Sequence, residues 1–197
     1  VGMNELGGNA RFLSGNDLQI GRGEPIKDTV RVLSRYLDGI MIRTFKQSDV
    51  EELAQYGSIP IINGLTDYCH PCQVLADLMT IREYKGSFKG LKLRFIGDGN
   101  NMANSLIVGG IKMGMDVAIA CPDGYRPDRD VCDWAEKNGN LLVTSDIAAA
   151  ARDADAVYTD VWASMGQEAE KAEREKVFKN YCVDQKVMSL AKPDALV

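Results

Sequence analysis

Residues 69–72 read Cys-His-Pro-Cys and place the chain's single histidine, His70, between two cysteines. A Cys-x-x-Cys pair at the start of a helix is typical of thiol redox centres, because the helix N-terminus lowers the pKa of the first thiol. A zinc site would need further ligands, but Cys121, Cys132 and Cys182 stand singly. The spacing therefore favours two packed thiols over a redox or metal centre.

The same stretch places Gln73 three residues after His70, which is about one helical turn. Side chains one turn apart point the same way, so both could donate hydrogen bonds to one oxygen atom. The simpler alternative is a structural histidine. Arg43 ends the apolar run 39–44, where an arginine suits a phosphate or carbonyl oxygen. At such a position a surface or salt-bridged arginine is the more common outcome.

The segment 95–105, FIGDGNNMANS, resembles a phosphate-binding turn. Met102 stands where the dinucleotide-binding pattern has its third glycine, and Asp98 would put negative charge beside a pyrophosphate. The amides at a helix start could still hold a small carboxylate. The alternative is a plain strand-to-helix turn.

The segment 159–168, TDVWASMGQE, combines a carboxylate at Asp160 with a hydroxyl at Ser164. Such a pair could take an ammonium group and a carboxylate from one ligand. The alternative is that Ser164 or Gly166 caps the charged helix that follows.

Apolar strand-like runs alternate with helical patterns along the chain, which predicts an α/β fold of parallel sheets with crossover helices. Ligands of such folds bind beyond the carboxyl ends of the strands, and each polar cluster follows a strand-like run. We predict strands at residues 10–14, 39–44, 59–64, 91–97, 115–121, 141–145, 155–161 and 192–197. Helices are predicted at 28–37 with Asp28 as cap, 47–56 with Ser48 as cap, 71–84, 102–114, 128–139, 146–154 and 167–181.

The polar, glycine-containing segment 84–90 predicts a domain boundary near residues 85–90. The first domain is expected to cover residues 1–85 and the second residues 86–197. Both ends of the chain read as cut, so we expect a part of a longer protein that lacks the start of the first domain and the end of the second.

The 197 residues are 45% hydrophobic and 26% charged, with a net charge of −5. This acidic balance argues against a nucleic-acid or anionic-membrane partner, and the apolar runs are too short to span a bilayer. Five cysteines at irregular spacing do not form a secreted disulfide framework. We therefore expect a cytoplasmic protein.

Taken together, five motifs resemble the ornithine carbamoyltransferases, and the resemblance covers essentially the whole chain. They are FLSGNDLQIGRGEPIKDTVRVLSRY at 12–36, IRT at 42–44, HPCQVLADLMT at 70–80, IGDGNN at 96–101 and TDVWASMGQE at 159–168. The H-P-x-Q pattern is shared with aspartate carbamoyltransferases, whereas DGNN and SMGQE favour ornithine.

The resemblance implies two parallel α/β domains, the first binding carbamoyl phosphate and the second L-ornithine, in a homotrimer or an assembly of trimers. It implies no metal and no organic cofactor. Contacts to the carbamoyl carbonyl fall on Arg43, His70 and Gln73. Contacts in the ornithine pocket fall on Leu65, Asn101, Asp160, Ser164 and Met165, and Gln19 lies in a loop that reaches a neighbouring subunit's site.

The implied reaction is carbamoyl transfer from carbamoyl phosphate to the δ-amine of L-ornithine, giving L-citrulline and phosphate in arginine metabolism. Alternatives are another amine acceptor such as putrescine, an inactive binding fragment of the same fold, and a nicotinamide-dependent dehydrogenase. The family's Ser-Thr-Arg-Thr-Arg phosphate loop is expected just before Val1 and its His-Cys-Leu-Pro loop just after Val197. We therefore expect the 197-residue piece alone to have little or no activity.

Overall fold

The computed structural model describes residues 1–15, 18, 23–163 and 168–197. These residues form two compact units, Val1–Ile62 and Asn63–Val197. The first contains α1 (Gly2–Glu5), α2 (Ile26–Leu33), β1 (Ile40–Arg43) and α3 (Gln47–Tyr56), and β2 (Ile61–Leu65) runs from the first into the second. The second contains α4 (Pro71–Lys85), β3 (Lys92–Ile96), α5 (Asn101–Lys112), β4 (Asp116–Ala120), α6 (Arg129–Asn138), β5 (Leu141–Thr144), α7 (Ile147–Ala151), β6 (Ala156–Tyr158), α8 (Lys171–Phe178) and α9 (Gln185–Met188).

In the first unit, α2 packs against α3. Val30, Val50 and Leu53 are buried between them, as their helical spacing requires for one apolar stripe on each helix. The strands β1 and β2 form a two-stranded sheet.

The second unit is built on a four-stranded sheet in the order β5-β4-β3-β6. The pairs β3–β4, β3–β6 and β4–β5 are all parallel, and helices connect consecutive strands. The predicted fold class, α/β with parallel strands and crossover helices, is therefore confirmed. Because all four strands run in one direction, their carboxyl ends meet at a single edge of the sheet.

Residues on the two faces of this sheet enter two separate cores. Leu93 and Phe95 face a core shared with α4, α5 and α6, whereas Ile96, the next residue along β3, enters a core shared with α7 and α9. Successive side chains of a strand point to opposite faces, so strands buried on both faces need nearly continuous apolar sequence. That requirement explains why these runs are mainly apolar, and the buried Arg94 of β3 is paired with Asp116 at the start of β4.

Helix bounds differ from prediction at two caps. The structure starts α2 after Pro25 and α3 after Lys46, so neither Asp28 nor Ser48 is an N-cap. Asp28 lies within the first turn of α2 instead. A carboxylate there is stabilised by the helix dipole without capping an amide. An acidic residue near the start of a helix therefore does not identify the residue at which the helix begins.

Three further predictions of secondary structure were wrong in whole or in part. Residues 8–14 have no regular secondary structure where a strand was expected. In the expected strand 192–197 only Leu196 pairs, in a bridge to Ala156. The predicted helix 167–181 is a 3₁₀ turn at Glu168–Glu170 followed by α8. An apolar run forms a strand only where a partner edge lies beside it, which the run itself does not encode.

The turn after β3 passes very close to another part of the chain. The Gly99 amide donates to the carbonyl oxygen of Tyr125 at 2.9 Å. A Cβ atom on Gly99 would lie 2.3 Å from the Pro127 nitrogen and 2.4 Å from the Arg126 carbonyl carbon. These are main-chain atoms, so a side chain at this position would displace backbone.

We expect Gly99→Ala to lower the free energy of unfolding by about 1–3 kcal/mol, the usual cost of forcing extra atoms into a packed site. Urea unfolding followed by the fluorescence of Trp134 and Trp162 measures it. Gly15→Ala is the control, because a Cβ there would meet no atom within 4 Å. Equal stability of both variants and the parent would show that the close approach at Gly99 leaves room for a side chain.

Candidate active site

His70 forms the N-cap of α4, with Pro71 in the first turn. Its ring nitrogen Nδ1 accepts a hydrogen bond from the Gln73 amide at 3.4 Å. A neutral imidazole whose Nδ1 is an acceptor carries its proton on Nε2. The cap therefore favours the tautomer in which Nε2–H can donate a hydrogen bond to a ligand oxygen.

The loop before His70 is held by side chains from the first two turns of α5. Asn101 Nδ2 donates to the Thr66 carbonyl at 2.7 Å and Asn104 Nδ2 to the Tyr68 carbonyl at 3.0 Å. The His70 amide donates to Ser105 Oγ at 2.7 Å. All three α5 side chains belong to buried residues, so the hydrogen bonds replace water at these loop groups.

Two of these α5 side chains, Ser105 and Asn104, make further hydrogen bonds. Ser105 Oγ donates to the Asn101 carbonyl at 2.7 Å, and Asn104 Oδ1 accepts from the Asp128 amide at 2.9 Å. A buried polar network with its members satisfied is stiff. The His70 main chain is therefore fixed to α5 rather than resting on an exposed loop.

Gln73 lies one turn after His70, and its Nε2 donates to Asp77 Oδ1 at 2.9 Å. Burial raises the pKa of the Asp77 carboxyl, while the hydrogen bond from Gln73 and the charge of His70 act against the rise. Asp77 thus orients the Gln73 amide and lies within electrostatic range of His70. Sequence analysis missed it, although its i,i+4 spacing from Gln73 on a helix was the available signal.

Two acidic groups act on Tyr158, the last residue of β6. Burial and then the charges of Asp77 and Asp160 raise the pKa of the Tyr158 phenol to about 12. Asp77 belongs to α4 and Asp160 follows β6. Charges from α4 and from the segment after β6 therefore both act on this phenol.

A buried ion pair lies at the same edge. The Arg174 guanidinium, on α8, is hydrogen-bonded to Asp98 in the turn after β3, and its Nε donates to the Trp162 carbonyl at 2.5 Å. Burial raises the pKa of the Asp98 carboxyl, and Arg174 acts against that rise. Sequence analysis named Asp98 but missed Arg174, because a charged residue in a highly charged helix gives no sign of burial.

The start of α5 does not offer all of its amides to a ligand. Asn100 Oδ1 accepts from the Met102 amide at 3.0 Å and the Ala103 amide at 3.3 Å. The alternative of a plain strand-to-helix turn therefore accounts for these two groups, and these two amides already have a partner within the chain.

The two thiols of the Cys-x-x-Cys stretch have partners within the loop. Cys69 Sγ accepts from Asn63 Nδ2 at 3.2 Å, and Cys72 Sγ donates to the Asn63 carbonyl at 3.3 Å. Neither cysteine forms a disulfide. In residues 1–15, 18, 23–163 and 168–197 there is no group of three or more His, Cys, Asp or Glu side chains that could hold a metal ion.

The described part of the chain includes no helix long and apolar enough to cross a membrane.

Five of the predicted site residues lie in the second unit: Leu65 ends β2, His70 and Gln73 are at the start of α4, Asn101 begins α5 and Asp160 follows β6. Asp160 Oδ1 accepts from the Val161 amide at 2.7 Å. Arg43 is the last residue of β1, in the first unit, and is exposed. Gln19, Ser164 and Met165 lie outside the described residues.

Comparison with known proteins identifies both parts of the chain. Residues 1–83 match the model of the aspartate/ornithine carbamoyltransferase carbamoyl-P binding domain, and residues 89–197 match that of the Asp/Orn binding domain. The chain belongs to the aspartate/ornithine carbamoyltransferase family.

Among the relatives, the chain is 55% identical over 199 residues to the ornithine carbamoyltransferase of Geobacter sulfurreducens, covering 100% of this chain and 66% of that protein. It is 57% identical over 201 residues to that of Oceanobacillus iheyensis, covering 100% and 62%. The solved ornithine carbamoyltransferase of Pyrococcus furiosus superimposes with a TM-score of 0.93 at 53% identity, covering 98% of this chain and 63% of that one. The chain thus spans slightly less than two thirds of their length.

We expect Ser105→Ala to speed hydrogen exchange of the His70 amide roughly fivefold or more, since one hydrogen bond contributes about 1 kcal/mol. Ser189→Ala is the control, because its hydroxyl donates to the Lys186 carbonyl at the exposed end of α9. The measurement is amide exchange by NMR. An unchanged His70 amide would show that the loop does not depend on α5.

Proposed function

We propose that the complete protein transfers the carbamoyl group of carbamoyl phosphate to the δ-amine of L-ornithine, giving L-citrulline and phosphate. The observation that carries this proposal is the match over 100% of this chain, at 55–57% identity, to relatives named ornithine carbamoyltransferase. The geometry at His70 supports it, because the α4 cap leaves the Nε2 proton as the donor of the neutral ring.

In the proposed reaction the neutral δ-amine attacks the carbonyl carbon of carbamoyl phosphate. The new carbon–nitrogen bond forms as negative charge moves to the carbonyl oxygen, and the carbon–oxygen bond to phosphate then breaks. The departing phosphate takes the proton of the amine. Hydrogen-bond donors aimed at the carbonyl oxygen lower the barrier, because they stabilise charge that develops in the transition state.

We assign those donors to His70, Gln73 and Arg43. His70 and Gln73 lie one helical turn apart at the start of α4, and both are half-buried. Asp77 accepts one Gln73 amide hydrogen at 2.9 Å, which fixes the amide's orientation while the second hydrogen is a donor for the substrate. Arg43 joins this set by its match to the family motif alone.

The acceptor end of the site is assigned to the second family domain. Asp160 supplies a carboxylate for the α-ammonium group of ornithine, and Asn101 keeps a second Nδ2 hydrogen beyond the one given to Thr66. Leu65 is buried at the end of β2 and would line the aliphatic part of the acceptor. The contributions of Ser164, Met165 and Gln19, the division into domains 1–85 and 86–197, and the trimeric assembly stay predictions.

Acceptor choice tests the proposal directly. We expect the complete protein to use ornithine in preference to putrescine, which lacks the α-carboxylate. Asp160→Asn should raise the KM for ornithine about 10- to 150-fold, the equivalent of losing one charged hydrogen bond. The KM for carbamoyl phosphate should stay near its original value, and citrulline formation measures both.

Asp123→Asn is the matched control, because Asp123 is an exposed aspartate of the same unit. A preference for putrescine by the unmodified protein would overturn the ornithine assignment while leaving carbamoyl transfer in place. No citrulline and no carbamoyl putrescine from the complete protein would overturn both.

The role of His70 gives a second test. As an oxygen donor, His70→Ala should lose about 10²–10³-fold in kcat, and Gln73→Ala should fall in a similar range. His70→Asn should keep part of the rate, because an amide can still donate. The measurement is kcat against pH for the parent and the three variants.

A general base would behave differently. His70→Asn would then be as slow as His70→Ala, the acid limb near a histidine pKa of about 6.5 would disappear in both, and Gln73→Ala would be nearly normal. That pattern would replace the donor role of His70 with a base role.

A further inference from the structure

Arg174 is a buried arginine outside the set of residues assigned above. It is 4% exposed, and each part of its guanidinium has a partner. Besides Asp98 and the Trp162 carbonyl, it reaches Glu170 Oε2 at 3.6 Å. Its central carbon lies 5.0 Å from the centre of the Tyr125 ring and 5.3 Å from that of Phe178.

These contacts join two segments that are far apart in sequence. Asp98 belongs to the turn that leads from β3 into Asn101, and Trp162 lies two residues after Asp160. Both segments carry residues assigned to the amino-acid end of the acceptor. One side chain on a third element, α8, therefore links the two segments beyond the point where β3 and β6 pair.

We propose that Arg174 is a positioning residue for acceptor binding, which holds the Asp160–Ala163 segment against the Asp98 turn. The proposal rests on the proposed function and adds to it a residue that touches neither substrate. Loss of the link lets Asp160 shift from the place where it meets the α-ammonium group. The expected consequence is weaker acceptor binding with carbamoyl phosphate binding unchanged.

The geometry requires arginine rather than a generic cation. A planar guanidinium can donate to a carboxylate and to a carbonyl in one plane while its faces lie against aromatic rings. A lysine ammonium is a point charge and can keep the pairing with Asp98, but it cannot also reach the Trp162 carbonyl with a fixed second donor. Arg174→Lys therefore separates the charge from the positioning contact.

A merely structural role would predict loss of stability without a change in substrate selectivity. Arg94 provides the control for that alternative. It is also a buried arginine, 5% exposed, and it pairs with Asp116 at 2.9 Å. Asp116 begins β4, so this pair lies toward the amino ends of the strands, away from the edge that carries Asp160.

The experiment compares Arg174→Lys and Arg94→Lys in the complete protein. We expect Arg174→Lys to raise the KM for ornithine at least tenfold, to change the KM for carbamoyl phosphate less than twofold and to keep kcat within about threefold. Inhibition by L-norvaline, which has the amino-acid end of ornithine without the δ-amine, should weaken in parallel. Arg94→Lys should lower the unfolding temperature without changing either KM.

Two results would overturn the proposal: an unchanged ornithine KM in Arg174→Lys, or equal changes in the two KM values. If Arg174→Lys fails to fold, Tyr125→Leu takes its place, because it removes one ring beneath the guanidinium. The same two KM values are measured. If the KM for ornithine does not rise selectively, the result contradicts the proposal. If the unmodified protein does not use ornithine at all, the proposed function is overturned instead. That measurement is made before any variant is tested.

Discussion

The loop that carries His70 has main-chain groups that no strand or helix can satisfy. Buried amides and carbonyls need hydrogen-bond partners, and three of the loop's groups find them in Asn101, Asn104 and Ser105 of α5. Those side chains are buried, so the contacts cannot be replaced by water without opening the packing. The position of His70, and with it the direction of its ring, follows from where α5 sits on the sheet.

The sheet in turn decides where α5 begins. Strands β3, β4 and β6 are parallel and adjacent, so the turns that follow them are collected at one edge. Gly99 allows the turn after β3 to pass against the 125–127 backbone, and Asn100 then caps α5. A residue with a Cβ atom at 99 would push the helix start away from the loop that it holds. The close approach of the Gly99 backbone to residues 125–127 therefore determines where the α5 side chains that hold the His70 loop are placed.

Much of this arrangement could be predicted from the sequence, because alternation of apolar runs and helical patterns reports burial directly. Strands were predicted at the places of β1 to β6, although β6 is only Ala156–Tyr158 where residues 155–161 were expected, and the helix predicted at 71–84 is observed at Pro71–Lys85. The polar residues that hold the site together were not predicted from the sequence. Asn104, Ser105 and Arg174 lie on helices where a polar side chain normally faces water, and only tertiary packing turns them inward. Asp77 had a local signal in its spacing from Gln73, but that spacing is common on exposed helix faces.

The ion pair between Arg174 and Asp98 also affects the charge balance at the carboxyl edge of the sheet. Asp98 and Asp160 are close enough for the charge of Asp160 to raise the pKa of Asp98. Two unbalanced carboxylates would repel each other and would compete for a single ammonium group. Arg174 neutralises Asp98 inside the protein, which leaves Asp160 as the carboxylate of the pair that can meet a ligand. On the proposed function, a bound amino acid would then find one anionic partner for its ammonium group, and the same arginine would both remove the competitor and fix the position of the remaining carboxylate.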